Sequence, residues 1–154
     1  MSEMTREQLA SGVAALARSM QDAPYVTPML VKQHLGLDVT FAESDPHTFG
    51  AAGSLIDGPA YTVNSITMDG TPPRRFDITF RSTSERCEQP ISFYFKSLVS
   101  AGFEPRWLSA PRLGSRARWR FEQGDVRVTA FVGEDAIEDA VGACVASIDI
   151  SKNR

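Results

Sequence analysis

Hydrophobic residues at helical spacing mark the beginning of the chain. Thr5 and Gln8 have the spacing of a capping box, and apolar residues then recur on one helical face, at Leu9, Val13, Leu16 and Met20. This pattern predicts a first helix from about Arg6 to Met20. A Thr-Pro pair at 27–28 supplies a second N-cap with proline at the first helical position, and Gly36 supplies a C-terminal stop. We therefore expect a short second helix before Gly36.

After this helical start, the period of the hydrophobic positions shortens towards two, which is typical of strands. β-rich runs lie at 38–43, 60–68 and 74–82, and turn-forming residues separate them. In the third run, Phe, Ile and Phe alternate with Asp, Thr and Arg, so one face is predicted to be buried and the other solvated. The small residues at 50–54 predict a flexible turn or an irregular strand.

A broad apolar stripe predicts a central helix that begins after Pro90 and ends at Ala101-Gly102. Strands are predicted at 104–109 and 143–150, the second with Cys144, Ala146, Ile148 and Ile150 on one side. Because strands come before and after the central helix, we expect a single α+β domain over residues 1–154. Its predicted architecture is a mostly antiparallel sheet of about five to seven strands, with two N-terminal helices and the central helix packed on it.

The clearest alternation along the chain predicts a β-hairpin with an arginine side and an aromatic side. Arginine at 116, 118 and 120 alternates with Ala117, Trp119 and Phe121, and Gln123-Gly124 is a suitable two-residue loop. This register pairs Glu122 with Asp125, Arg120 with Arg127, and Trp119 with Val128. Four arginines, Arg116, Arg118, Arg120 and Arg127, then share one face.

Like charges directly opposite each other destabilise a sheet, so this face needs acidic neighbours. Asp77 and Asp149, on the polar sides of their own strands, are the internal candidates; an acidic partner protein is the alternative. Trp107 and Arg112 extend this surface. Tryptophan is enriched at binding hot spots, and the loop at 111–114 can present Arg112 to a partner. The predicted partner-binding residues are Arg112, Arg116, Arg118, Arg120, Arg127 and Trp107.

Composition narrows the classes of function. The 154 residues are 42% hydrophobic and 23% charged, as in an ordinary globular domain, and the net charge of -3 argues against a dedicated nucleic-acid binder. There is no apolar run of roughly 20 residues that would span a membrane. The polar N-terminus predicts a cytoplasmic protein, or a periplasmic one if an export signal has been removed. Cys87 and Cys144 form either a disulfide, which needs an oxidising compartment, or two separate thiols.

Motifs for catalysis are missing from the sequence. His34 and His47 are isolated, no Cys or His spacing matches a zinc site, and neither a Walker loop nor a Gly-x-Ser-x-Gly elbow is present. We therefore predict no catalytic residue, no metal and no cofactor. The carboxylates of the acidic segment at 134–139 are expected to be a solvated turn. Two alternatives stay open: a small enzyme that uses His34, His47 or Cys87 in a cleft between helices and sheet, and a regulatory domain that binds a small ligand.

The segment from Phe93 to Phe103, followed by hairpin segments at 116–121 and 125–132, resembles a pattern of small bacterial envelope and immunity-type α+β proteins. In that pattern a helix that ends in Ala-Gly-aromatic leads into a hairpin. The resemblance implies a fold and a binding role, with no catalytic residue. Together with the arginine face, it favours a non-catalytic bacterial immunity or inhibitor-type protein that blocks the charged site of another protein, through the arginine face or the acidic turn. The oligomeric state is left open.

Overall fold

The computed structural model describes residues 4–67, 71–81, 89–109, 117–132 and 143–153. Within these ranges the helices are α1 (Arg6–Ser19), α2 (Pro28–Leu35) and α3 (Ile91–Ser100). The strands are β1 (Thr40–Ala42), β2 (Asp45–Ser54), β3 (Ala60–Ile66), β4 (Arg75–Arg81), β5 (Glu104–Leu108), β6 (Arg118–Gln123), β7 (Val126–Val132) and β8 (Val145–Lys152). The α+β class and the antiparallel sheet are confirmed, but the sheet has eight described strands rather than five to seven.

The strand that the sequence pattern left open is β2, because residues 50–54 predicted either a flexible turn or an irregular strand. It contains many small residues, which have little intrinsic preference for a strand, and it forms because β1 and β3 hydrogen-bond to its two edges. Gly53 lies opposite Tyr61, and a Cβ at this glycine would lie 2.7 Å from the Tyr61 hydroxyl oxygen. The absence of a side chain at Gly53 therefore lets the Tyr61 ring cross β2.

The order of strands across the sheet is β1-β2-β3-β4-β8-β7-β6-β5, and every neighbouring pair is antiparallel. The chain thus builds two four-stranded meanders, each preceded by helix, and joins them in the middle of the sheet through β4 and β8. The two halves share this plan although the sequence has no repeat of fixed period. Helices α1 and α3 pack against each other over the sheet.

The core lies between these helices and one face of the sheet. The largest fully buried side chains come from both layers: Leu9, Leu16, Tyr94 and Leu98 from the helices, and Phe76, Ile78, Phe121, Ile148 and Ile150 from the strands. Burial of each such side chain contributes roughly 1.5–3 kcal/mol. Because side chains alternate along a strand, the remaining strand residues point to the other side of the sheet, which we call the open face.

Helix ends follow the predicted signals. The Thr5 hydroxyl accepts a hydrogen bond from the Gln8 amide at 3.1 Å, and the Gln8 side chain accepts one from the Thr5 amide at 2.9 Å, so the predicted capping box is confirmed. The Thr27 hydroxyl caps α2 by accepting a hydrogen bond from the Leu30 amide at 3.2 Å, and Gly36 ends that helix with a φ of 68°. None of the helices in the described part of the chain has the length and apolar character that crossing a bilayer requires.

The predicted hairpin exists, but its register was wrong. Gln123 pairs with Val126, so the loop residues are Gly124 and Asp125, and Gly124 adopts a φ of 59°. Each β6 residue lies opposite a β7 residue two positions further along than predicted, and Arg120 faces Thr129 instead of Arg127. A shift of two positions keeps every side chain on its face, since the period of a strand is two.

A register irregularity also corrects the last strand. Phe131 pairs with Ser147 whereas Val132 pairs with Val145, so one extra residue is inserted in β8 at this point. The irregularity puts Val145 on the buried side and leaves Ala146 half-buried. The prediction that Cys144 and Ala146 share a side with Ile148 and Ile150 was therefore wrong.

Candidate functional site: a basic patch on the open face

Four arginines of the second meander lie on the open face of the sheet. In β6, Trp119 and Phe121 are buried against the helices, so Arg118 and Arg120 point the other way. The same alternation in β5 and β7 brings in two more arginines. We call Arg106, Arg118, Arg120 and Arg127 the basic patch. The predicted residues Arg112 and Arg116 lie outside the described residues.

Strand register brings these arginines together. Arg106 lies directly opposite Arg120, and Thr129 flanks Arg120 on the other side. Arg118 lies between Leu108 and Phe131, while Arg127 lies opposite Glu122. Sequence reasoning missed Arg106, Leu108 and Phe131; alternation with Trp107 along β5 was a signal that could have found Arg106.

The electrostatic environment of the basic patch is dominated by positive charge. Burial lowers the pKa of Arg120, and the charges of Arg127, Arg118 and Arg106 lower it further, while Glu122 acts in the opposite direction. Within the described ranges, no carboxylate lies within 4.0 Å of the Arg106, Arg120 or Arg127 guanidinium. The buried Nε atoms of Arg120 and Arg127 have no hydrogen-bond partner. A buried donor without an acceptor costs roughly 1–3 kcal/mol.

Asp77 and Asp149, which were predicted as possible acidic neighbours of the arginine face, contact Arg75 instead. Asp77 and Asp149 lie directly opposite each other on β4 and β8. The Asp149 Oδ2 atom accepts a hydrogen bond from Arg75 Nε at 2.6 Å and lies 2.5 Å from Arg75 Nη2, and Asp77 Oδ1 lies 3.8 Å from Arg75 Nε. Thr129 of β7 separates Asp149 from Arg120. The acidic pair is thus balanced by Arg75 and not by the basic patch.

Apolar groups lie among the arginines. Phe131 and Leu108 are half-buried on the open face, and the Arg118 guanidinium carbon lies 6.0 Å from the centre of the Phe131 ring. This distance is within the range of a cation–π contact. Arginine is among the residues enriched at protein–protein hot spots.

Trp107 is separated from the basic patch by the thickness of the sheet. It pairs with Trp119, its ring centre lies 5.5 Å from that of Trp119, and it packs against the hydrophobic core. The structure therefore does not bring Trp107 together with the arginines that were predicted to act with it.

Comparison with known proteins does not assign this chain to a family. Searches against protein-family models, curated proteins and solved structures found no match. The function has to be argued from the side chains themselves.

The other candidate groups do not assemble into a reactive site in the described residues. Cys144 is disulfide-bonded, whereas Cys87 and the acidic segment at 134–139 lie outside the described ranges, so the Cys87–Cys144 pairing stays a prediction. The backbone amide of His47 donates to the Asp45 side chain at 2.8 Å at the beginning of β2. No group of three or more His, Cys, Asp or Glu residues in the described ranges could hold a metal ion.

An open groove of about 680 Å³ between α1 and α2 contains the other histidine. Glu7, Ser11 and His34 line it together. No hydrogen bond joins any two of these three side chains in the described structure. A serine needs a base within hydrogen-bond reach to become a nucleophile, so this groove does not favour the enzyme alternative.

Proposed function

We propose that this protein is a non-catalytic binding module whose basic patch binds an acidic surface of a partner protein. The observation that carries the proposal is the pairing of Arg106 with Arg120, directly opposite each other and without a carboxylate within 4.0 Å of either guanidinium in the described residues. This pair costs stability in the isolated protein. Acidic groups of a partner would remove that cost.

The surroundings of the basic patch favour a protein over a nucleic acid. Glu104 lies directly opposite Glu122 on the same face, and Asp77 and Asp149 lie in the same cross-strand row as Arg120. These carboxylates would repel a continuous phosphate backbone. A protein surface can present carboxylates to the arginines, basic groups to Glu104 and Glu122, and an apolar side chain to Phe131.

The more specific form of the proposal is a bacterial immunity or inhibitor-type role, in which the patch covers the charged site of its target. Sheet residues present their charges from a fixed backbone, so little conformational freedom is lost on binding. Complementary charge would also accelerate association and make it sensitive to salt.

Charge reversal on β6 tests the proposal. The double variant Arg118→Glu and Arg120→Glu is compared with the matched double variant Arg81→Glu and Lys96→Glu, which carries the same change of charge on exposed residues away from the patch. The tagged wild-type protein is used to retrieve its partner from the native host, and the affinity is then measured with both purified components.

We expect the β6 double variant to lose at least about a hundredfold in affinity, because two buried charge contacts are each worth roughly 1.5–3 kcal/mol. Its unfolding free energy should stay within about 1 kcal/mol of the wild type, since no described salt bridge of Arg120 is lost. The association rate of the wild type should fall as salt is added. Unchanged affinity of the β6 variant, equal loss in the control, or co-purification of nucleic acid alone would contradict the proposal.

A further inference from the structure

A second concave feature lies beside Tyr25 and the start of β4, where Ser151 of β8 separates Arg75 from Arg127 of the basic patch. It is a cavity of about 400 Å³ lined by Tyr25, Ile66, Thr71, Pro72, Arg74 and Arg75, and we call it the Tyr25 cavity. Its volume is within the range of roughly 300–1,000 Å³ that is usual for small-molecule sites.

Hydrogen bonds fix the walls of this cavity. The Val26 amide donates to the Pro73 carbonyl oxygen at 2.8 Å, which ties the segment of Tyr25 to the segment of Pro72. The Lys152 amide donates to the Arg74 carbonyl oxygen at 2.9 Å, and the Lys152 ammonium donates to the Ala23 carbonyl oxygen at 2.9 Å. The cavity is therefore formed before any ligand enters, and little ordering is needed on binding.

The chemistry of the walls is divided into an apolar part and a cationic part. Tyr25, Ile66 and Pro72 supply apolar surface. The Arg74 guanidinium carbon lies 5.7 Å from the centre of the Tyr25 ring, and this side chain has no acidic partner in the described residues. Stacking on a ring leaves the N–H edge of a guanidinium available for a bidentate contact.

Arg75 limits how much negative charge the cavity accepts. Its Nε atom already donates to Asp149, its Nη2 atom forms an ion pair with the same carboxylate, and Asp77 lies next to it. Two carboxylates thus contact Arg75. Of the two arginines that line the cavity, Arg74 is the one whose charge is not paired with a carboxylate in the described residues. A ligand with one negative charge suits this arrangement, whereas a dianion would be repelled by the aspartates.

We propose that the Tyr25 cavity binds a small monocarboxylate with an aromatic or branched apolar body. The carboxylate pairs with Arg74, and the apolar body lies between Tyr25, Ile66 and Pro72. This site is independent of the partner surface proposed above, because it uses none of the arginines of the basic patch.

Three probes of similar size separate charge from shape: 3-phenylpropionate, the neutral 3-phenylpropan-1-ol and the dianion phenyl phosphate. Dissociation constants are measured by calorimetry, and the binding site is located by amide chemical-shift changes in the full chain. The variant Arg74→Gln removes the charge of an exposed side chain, and Arg81→Gln makes the same change at the far end of β4.

We expect saturable binding of 3-phenylpropionate with shift changes at Tyr25, Ile66 and Arg74. Arg74→Gln, or replacement of the acid by the alcohol, should weaken binding about tenfold, whereas Arg81→Gln should leave it unchanged. Phenyl phosphate should bind more weakly than the monocarboxylate. No saturable binding, equal binding of the alcohol, tighter binding of phenyl phosphate, or shift changes confined to the basic patch would overturn the proposal. Binding of a partner protein to the basic patch is not required for any of these results.

Discussion

Asp77 is held in an environment that opposes its negative charge. Burial, and after it the charge of Asp149 across the strand pair, together raise the pKa of Asp77 from 3.8 to about 6, although Arg75 acts in the opposite direction. At pH values between the ordinary pKa of 3.8 and about 6, Asp77 is therefore protonated in the folded state but ionised in the unfolded state. This group makes the free energy of unfolding fall as the pH rises through that window.

Asp77→Asn should remove this penalty. We expect the variant to be more stable than the wild type by about 1 kcal/mol at neutral pH, a value reduced for the solvent that reaches this side chain. The amide can also donate to Asp149 Oδ1, a buried atom without a hydrogen-bond partner. Urea unfolding from about pH 4 to pH 7.5 should show a flatter profile between the ordinary pKa of 3.8 and about 6 than in the wild type.

Asp149→Asn is the matched control, because Asp149 accepts a short hydrogen bond from Arg75 Nε and forms an ion pair with Arg75 Nη2. It should destabilise the protein at neutral pH, as expected when a charge-assisted pair is broken. If both asparagine variants changed stability equally, or if the Asp77 variant kept the pH profile of the wild type, the unequal roles assigned to the two aspartates would be wrong.

At the scale of elements, aromatic packing determines the register of the β5–β6 pair, although this register places like charges opposite each other. Its register places Arg106 opposite Arg120 and Glu104 opposite Glu122, so like charges face each other twice. A slip of two residues would put Arg106 opposite Glu122. The observed register instead pairs Trp107 with Trp119 on the buried side, where Phe95 also contacts the Trp119 ring. Buried aromatic area is worth more than the exposed charges cost.

Arg106→Gln should therefore stabilise the protein. Relief of the repulsion with Arg120 should raise the free energy of unfolding by about 0.5 kcal/mol at low salt, and the gain should disappear at about 0.5 M salt, where surface charges are screened. Arg81→Gln, an exposed arginine without a described arginine opposite, should change nothing at either salt concentration. A loss of stability in Arg106→Gln would show that Arg106 has a stabilising contact and would remove the strain argument for the basic patch.

At the scale of the whole molecule, the last strand holds the first helix in place. β8 occupies the middle of the sheet, and the ammonium of Lys152 at its end donates to carbonyl oxygens of Met20, Gln21 and Ala23, at 2.7, 3.2 and 2.9 Å. These carbonyls include the end of α1, where a positive charge also interacts favourably with the helix dipole. One side chain thus links the end of β8 to the end of α1.

Lys152→Met keeps the aliphatic stem and removes the ammonium. We expect a loss of about 2 kcal/mol in the free energy of unfolding, since three carbonyl oxygens lose a charged donor in a half-buried site. Amide hydrogen exchange should become faster in the last turn of α1 and around Tyr25. Lys96→Met on the exposed side of α3 should stay within about 0.5 kcal/mol of the wild type. A similar effect of both substitutions would argue against the link between β8 and α1.

Some features were determined by residues close together in the sequence. The capping box of Thr5 and Gln8, the apolar stripe of α3 and the alternation of Arg118 with Trp119 predicted two helices and the two faces of a strand. Each depends on neighbours within one or two turns or along one strand, where spacing alone sets which side chains share a face. The assignment of Arg118, Arg120 and Arg127 to a common face is correct for the same reason, even though the predicted register was wrong.

Only the tertiary structure decided what depends on pairing between distant segments. β2 is a strand because its neighbours complete its hydrogen bonds, and a local irregularity, rather than a periodic pattern, buries Val145 instead of Ala146. The opposition of Arg106 to Arg120, the engagement of Asp149 by Arg75 and the walls of the Tyr25 cavity all follow from which strands meet and in which register. Those choices are made by the summed burial of the core, which no single stretch of sequence contains.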